Sequence, residues 1–93
     1  MKQYHLLITI KKKLSRDRIK SILTELVELL EMKALSKPLL FRGTTNEGWT
    51  GIIIIEESHI AIHSFEEYNK TWVDILSCRK FSKEKIKEFL TEF

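Results

Sequence analysis

The run Ile52-Ile53-Ile54-Ile55 contains no polar residue, and shortly after it His59, Ala61, His63 and Phe65 alternate with Ile60, Ile62 and Ser64. Consecutive β-branched residues suit a buried strand, and strict alternation marks a strand with one buried face. Between the two runs stand Glu56, Glu57, Ser58 and His59, with neither Gly nor Pro among them. Glu57-Ser58 therefore lies at a junction of strands that lacks the usual turn residues.

Other elements follow from the same reading. Tyr4 to Ile10 reads as a first strand, ended by Lys11-Lys12-Lys13. Ser15 is placed to cap a helix with Asp17 in its first turn. Ile19, Ile22, Leu23, Leu26, Leu29 and Leu30 recur at helical spacing, so the helix is expected from Arg16 to about Met32. Lys37-Pro38 breaks that pattern, Leu39-Leu40-Phe41 forms a short strand, and Arg42 to Glu47 forms a polar loop. Gly48-Trp49-Thr50-Gly51 leads into the isoleucine run. Glu66 to Lys70 reads as a turn and Thr71 to Cys78 as a last strand. Ser82 caps a final helix with Ile86, Phe89, Leu90 and Phe93 on one face.

Each helix must bury its apolar stripe. An α+β fold satisfies both: a two-layer sandwich of a mainly antiparallel β-sheet with two helices on one face. The other face then needs cover, which a second subunit can supply. A chain of 93 residues holds one core, so residues 1–93 form a single domain. The single cysteine, Cys78, excludes an internal disulfide. The longest apolar run is far too short to span a membrane, and the N-terminal order of charge and apolar residues is not that of a signal peptide. The expected location is the cytoplasm. A net charge of +3 with no arginine-rich stripe leaves little to bind nucleic acid.

Residue types alone leave the chemistry open. Cys78, His59 and His63 offer three zinc ligands, but the paired spacing of zinc sites is missing. Ser58 lacks the glycine-flanked turn of a serine hydrolase. A Cys78 nucleophile with a histidine base is allowed by composition only. The plain readings are a buried cysteine, solvated histidines and a solvated lysine run.

The stretch from Gly48 to Cys78 adds more. Gly48-Trp49-Thr50-Gly51, Ile52 to Ile55, Glu57-Ser58-His59, His63-Ser64-Phe65-Glu66-Glu67-Tyr68 and Val73-Asp74-Ile75-Leu76-Ser77-Cys78 stand in one unbroken register. In that register the chain resembles the prokaryotic S-adenosylmethionine decarboxylases, which are made as self-cleaving proenzymes. The resemblance implies cleavage between Glu57 and Ser58 and a pyruvoyl cofactor made from Ser58, with no PLP and no metal. It gives Ser58 the attack on the Glu57 carbonyl, Thr50 the support of the tetrahedral intermediate, and His63 the removal of the Ser58 α-proton. It makes Cys78 the acid that reprotonates the substrate carbon, gives Glu67 the ribose hydroxyls, and sets Phe65 and His59 at the substrate. The implied partners are S-adenosylmethionine and a second copy of the chain, in a homodimer, with no nucleic acid and no membrane. The implied role is supply of the aminopropyl donor for spermidine.

The match has departures. Phe65 and Glu66 replace the family's Trp and Pro, and Thr44 stands where a Phe usually helps to sandwich the adenine. Glu47 and Glu66 add negative charge, which suits a second reading: a pyruvoyl decarboxylase of arginine or ornithine. A third is an uncleaved, non-catalytic paralogue that serves as a partner subunit.

Overall fold

The computed structural model describes residues 2–44 and 47–93. Five strands and two helices follow one another as β1 (Tyr4–Ile10), α1 (Arg16–Leu29), β2 (Leu39–Arg42), β3 (Trp49–Ile55), β4 (Ser58–Phe65), β5 (Lys70–Ser77) and α2 (Lys83–Leu90). The strands form one sheet in the order β1-β5-β4-β3-β2, with every neighbouring pair antiparallel. This is the α+β sandwich that the patterning implies. Thr45 and Asn46 of the expected polar loop lie outside the described residues; beside them, Gly43 N–H donates to Gly48 O at 2.7 Å.

Alternation sorts the sheet into two faces. Ile60, Ile62, Val73 and Ile75 are buried beside Ile19, Ile22, Leu23 and Leu26 of α1 and Ile86 and Leu90 of α2. The opposite face carries His5, Leu7, Thr50, Ile52, His59, Ala61, His63, Phe65, Trp72, Asp74 and Leu76, and no helix covers it. Ser64 and Thr71 are polar residues on the helix side, and both are used. Leu14 N–H donates to the Ser64 hydroxyl at 2.8 Å, and the Thr71 hydroxyl donates to Lys12 O at 2.8 Å. Together they hold the crossing from β1 to α1. Ser15 and Ser82 cap the helices, accepting from Arg18 N–H and Lys85 N–H at 3.2 Å each. Among the described residues, no helix is long and apolar enough to cross a membrane.

Several boundaries differ from the sequence reading: β2 takes in Arg42, and β5 runs from Lys70 to Ser77 where Thr71 to Cys78 was expected. Helix α1 ends at Leu29, short of Met32, because Leu30 caps it and Glu31 takes a left-handed φ of 54°. The chain then runs beside the end of β3. Ala34 bridges Ile55, Leu35 N–H donates to Ile54 O at 2.7 Å, and Glu56 N–H donates to Lys33 O at 3.2 Å. Trp49, Thr50 and Gly51 belong to β3, where they were expected only to lead into the strand. Ser58 and His59 likewise open β4.

Gly51 is there for packing. A Cβ at this position would stand 2.5 Å from Ile19 Cγ2 and 2.9 Å from Leu40 Cδ2, so α1 sits directly on the β3 backbone. Gly51→Ala is expected to cost about 1–3 kcal/mol by overpacking. A thermal melt reads this as a clear drop in melting temperature, and an unchanged melt would show that α1 can shift freely.

Candidate active site

The link between β3 and β4 consists of Glu56 and Glu57 alone, since Ile55 pairs directly with Ser58. So tight a turn needs a positive φ, and with no Gly available Glu57 adopts one, at 52°. A non-glycine residue in that region is strained by about 1–2 kcal/mol. The Glu57–Ser58 peptide bond thus lies between a left-handed residue and the first residue of a central strand.

Ser58 is 7% exposed and shares the helix side of β4 with Ile60 and Ile62. Cys78 N–H donates to its hydroxyl oxygen at 2.9 Å. The Cys78 thiol in turn donates to Glu56 O at 3.6 Å. The end of β5 therefore clasps both sides of the turn. Ser58, Glu57 and Cys78 form one group.

Thr50 and His63 form another. They are opposite one another in the β3–β4 register, and the Thr50 hydroxyl pairs with His63 Nδ1 at 3.1 Å. Both point to the open face. His63 is five residues beyond Ser58 on β4 and on the opposite side of the sheet. At roughly 3.3 Å per residue the two are about 17 Å apart along the strand. Within one chain the fold brings Ser58 to Cys78 and Thr50 to His63, and keeps the two pairs apart.

Near the Ser58 end, Asp74 joins two histidines that the sequence reading treated separately or not at all. One carboxylate oxygen meets His5 Nε2 and the other lies 3.6 Å from His59 Nε2. His5 and Asp74 went unnoticed because they are 69 positions apart and come from different strands. The available clue was parity, which puts Asp74 on the open face with Trp72 and Leu76. Near the His63 end, Phe65 packs edge-on against Trp72 with ring centroids 4.8 Å apart. Glu67 is exposed in the turn after β4. Glu66 is held by Lys13 at 2.7 Å on the surface.

The zinc candidates Cys78, His59 and His63 are not gathered. Among the described residues no group of three or more His, Cys, Asp or Glu side chains is arranged to hold a metal ion. The residues do fit a cofactor made from the chain itself. A serine hydroxyl held in place, a preceding residue at positive φ and a neighbouring thiol meet at one turn.

The family model for S-adenosylmethionine decarboxylase matches residues 8–93. A protein of Archaeoglobus fulgidus named S-adenosylmethionine decarboxylase proenzyme is 34% identical over 77 residues, which is 81% of this chain and 67% of that protein. One of the same name from Acetivibrio thermocellus is 33% identical over 64 residues, 69% of this chain and 50% of that protein. The chain thus spans about two thirds of the length of one relative and half of the other.

The strain at the turn is measurable by itself. In a Ser58→Ala background, which removes the hydroxyl next to the turn, Glu57→Gly is expected to raise stability by about 0.5–1 kcal/mol. Urea unfolding should show a higher midpoint at unchanged slope; a lower midpoint would mean that the Glu57 side chain contributes more than its backbone costs.

Proposed function

The chain belongs to the S-adenosylmethionine decarboxylase family, and from that membership we propose that it decarboxylates S-adenosylmethionine after cutting itself between Glu57 and Ser58. Its product would be the aminopropyl donor for spermidine, made in the cytoplasm. The observation that carries the proposal is the Ser58 hydroxyl, held at 2.9 Å by Cys78 N–H immediately after left-handed Glu57.

The chemistry starts with the chain's own atoms. Ser58 Oγ attacks the Glu57 carbonyl carbon; the C–N bond breaks, and an ester and a free Ser58 amine result. Removal of the Ser58 α-proton then expels the Glu57 carboxylate and leaves a carbon–carbon double bond at position 58. Tautomerisation and addition of water release ammonia and leave a pyruvoyl group at the head of residues 58–93. That group serves as the electron sink when CO₂ leaves, work that no side chain does well. Cys78, beside position 58, is placed to return a proton to the substrate carbon. The hydroxyl of Thr50 fixes the ring of His63, the base for the α-proton.

The distance between the two pairs argues for a homodimer. His63 of the same chain is about 17 Å from Ser58 along β4 and on the other side of the sheet. The open face also leaves Leu7 and Phe41 each 58% exposed, with Ile54 at 39%. Two copies packed through this face about a two-fold axis, with strands running in opposite senses, bring the His63 end of one over the Ser58 end of the other. Such packing buries the apolar residues and sets His63 of one copy against the open side of the strand at position 58 of the other, opposite the buried hydroxyl. The arginine or ornithine reading is weakened at Glu66, whose charge is taken up by Lys13.

Intact mass under denaturing conditions is the first test. The expected result is two fragments, residues 1–57 and a pyruvoyl-led 58–93. A single persistent species of 11.0 kDa would instead mark an uncleaved partner subunit. Mixing variants tests the dimeric site. His63→Ala and Ser58→Ala chains, each inert alone, should yield the pyruvoyl fragment from the His63→Ala chain when refolded together. If the mixture stays uncut, His63 does not serve a neighbouring copy.

A further inference from the structure

One row of residues crosses the open face. Phe41 of β2 pairs with Thr50 of β3, Thr50 with His63 of β4, His63 with Trp72 of β5, and Trp72 with Thr9 of β1. Trp72 therefore stands one strand, about 4.8 Å, from the residue proposed as the base. It is half-buried in the middle of the sheet, on the side that no helix covers. A tryptophan there contributes nothing to the core beneath the helices.

Around it lies an open cavity of about 350 Å³ lined by Leu7, His63, Phe65 and Trp72. Its walls are apolar apart from the imidazole, and its size is in the range of small-molecule sites. Phe65 and Trp72 meet at an interplanar angle of 84°. In a perpendicular pair the edge of one ring meets one face of the other, so each ring keeps at least one face free of its partner and the pair can still take a third flat ring. Flat, polarisable rings with little charge are what such a corner selects.

We propose that Trp72, backed by Phe65, is the surface on which the adenine of the substrate stacks, making Trp72 a specificity-determining residue of this chain. The inference rests on S-adenosylmethionine being the substrate. It also answers a difficulty in the sequence, where Thr44 occupies the place of an expected stacking aromatic. An aromatic ring on β5 supplies the missing face from a different strand, on the same side of the sheet and next to His63.

The test uses 5′-methylthioadenosine, which carries the base and ribose but no amino acid. With only two tryptophans in the chain, Trp49→Phe leaves Trp72 as the sole reporter. Its fluorescence should be quenched by the nucleoside and not by methionine. In the otherwise unaltered chain, Trp72→Ala should weaken nucleoside binding and raise KM for S-adenosylmethionine, each by roughly tenfold. Trp72→Phe should restore most of both, and sedimentation should show the Trp72→Ala chain associated as before. Unchanged binding in Trp72→Ala, no binding of the nucleoside at all, the same loss from Phe41→Ala instead, or dissociation of the Trp72→Ala chain would each overturn the inference. The two proposals fail separately. A chain that binds the nucleoside through Trp72 yet neither cleaves nor decarboxylates retains this site and loses the enzymatic reading. A chain that decarboxylates S-adenosylmethionine with KM unchanged in Trp72→Ala does the reverse.

Discussion

The register of β3 on β4 sets nearly everything else. Ile55 opposite Ser58 leaves only Glu56 and Glu57 for the turn, forcing Glu57 into a left-handed conformation. The same register puts Thr50 opposite His63, so the hydroxyl reaches the imidazole at 3.1 Å. A slip of one residue would exchange the two faces of β4, sending Ile60 and Ile62 out of the core and the histidines into it. The hydrophobic effect that buries those isoleucines therefore also aims the histidines. No separate device is needed to place His59 and His63 on the open face.

The sheet is organised by position along the strands. At one end, Ser58 and Cys78 meet at the turn, with Asp74 tying His5 and His59 together close by. At the other end, Thr50 and His63 stand beside Phe65 and Trp72. Leu7, Ile52 and Ala61 lie in the row between. On the proposed reading each end would hold half of what a self-processing decarboxylase needs. A lone protomer keeps the two ends apart, and the proposed two-fold partner would bring them together, so that self-association and chemistry would draw on the same surface.

Much of this was legible in the sequence, and the exceptions have physical causes. The alternation of β4 was plain because a period of two leaves little doubt about a half-buried strand. Ser15 and Ser82 were readable as caps because their hydroxyls compete well for free helix N–H groups. Ser58, His63 and Cys78 stood out by type but left several chemistries open, and Thr50 could be singled out only through the spacing of a family pattern. Gly48-Trp49-Thr50-Gly51 was read only as leading into the isoleucine strand. Gly51 is instead a strand residue without a side chain because Ile19 occupies the space. The apolar period of α1 continued to Leu30, so nothing local announced that Glu31 would turn the chain back toward β3. Asp74 with its two histidines, and Trp72 beside His63, depend on pairings across three strands, which no window of sequence contains.

The order of strands bears on what cleavage would do. A break between Glu57 and Ser58 assigns β1, α1, β2 and β3 to one fragment and β4, β5 and α2 to the other. In the sheet order β1-β5-β4-β3-β2, the second fragment's strands lie between strands of the first. The fragments share two full ladders, β1 with β5 and β3 with β4, and one core in which α1 covers strands of both. Cutting the turn removes a single covalent link and leaves all of this in place. It also frees Glu57 from its left-handed conformation and gives the new end at position 58 room to move beside Cys78. The strain at the turn would thus be relieved by the cut itself, and the interleaved strands would let the protein lose that peptide bond without losing its fold.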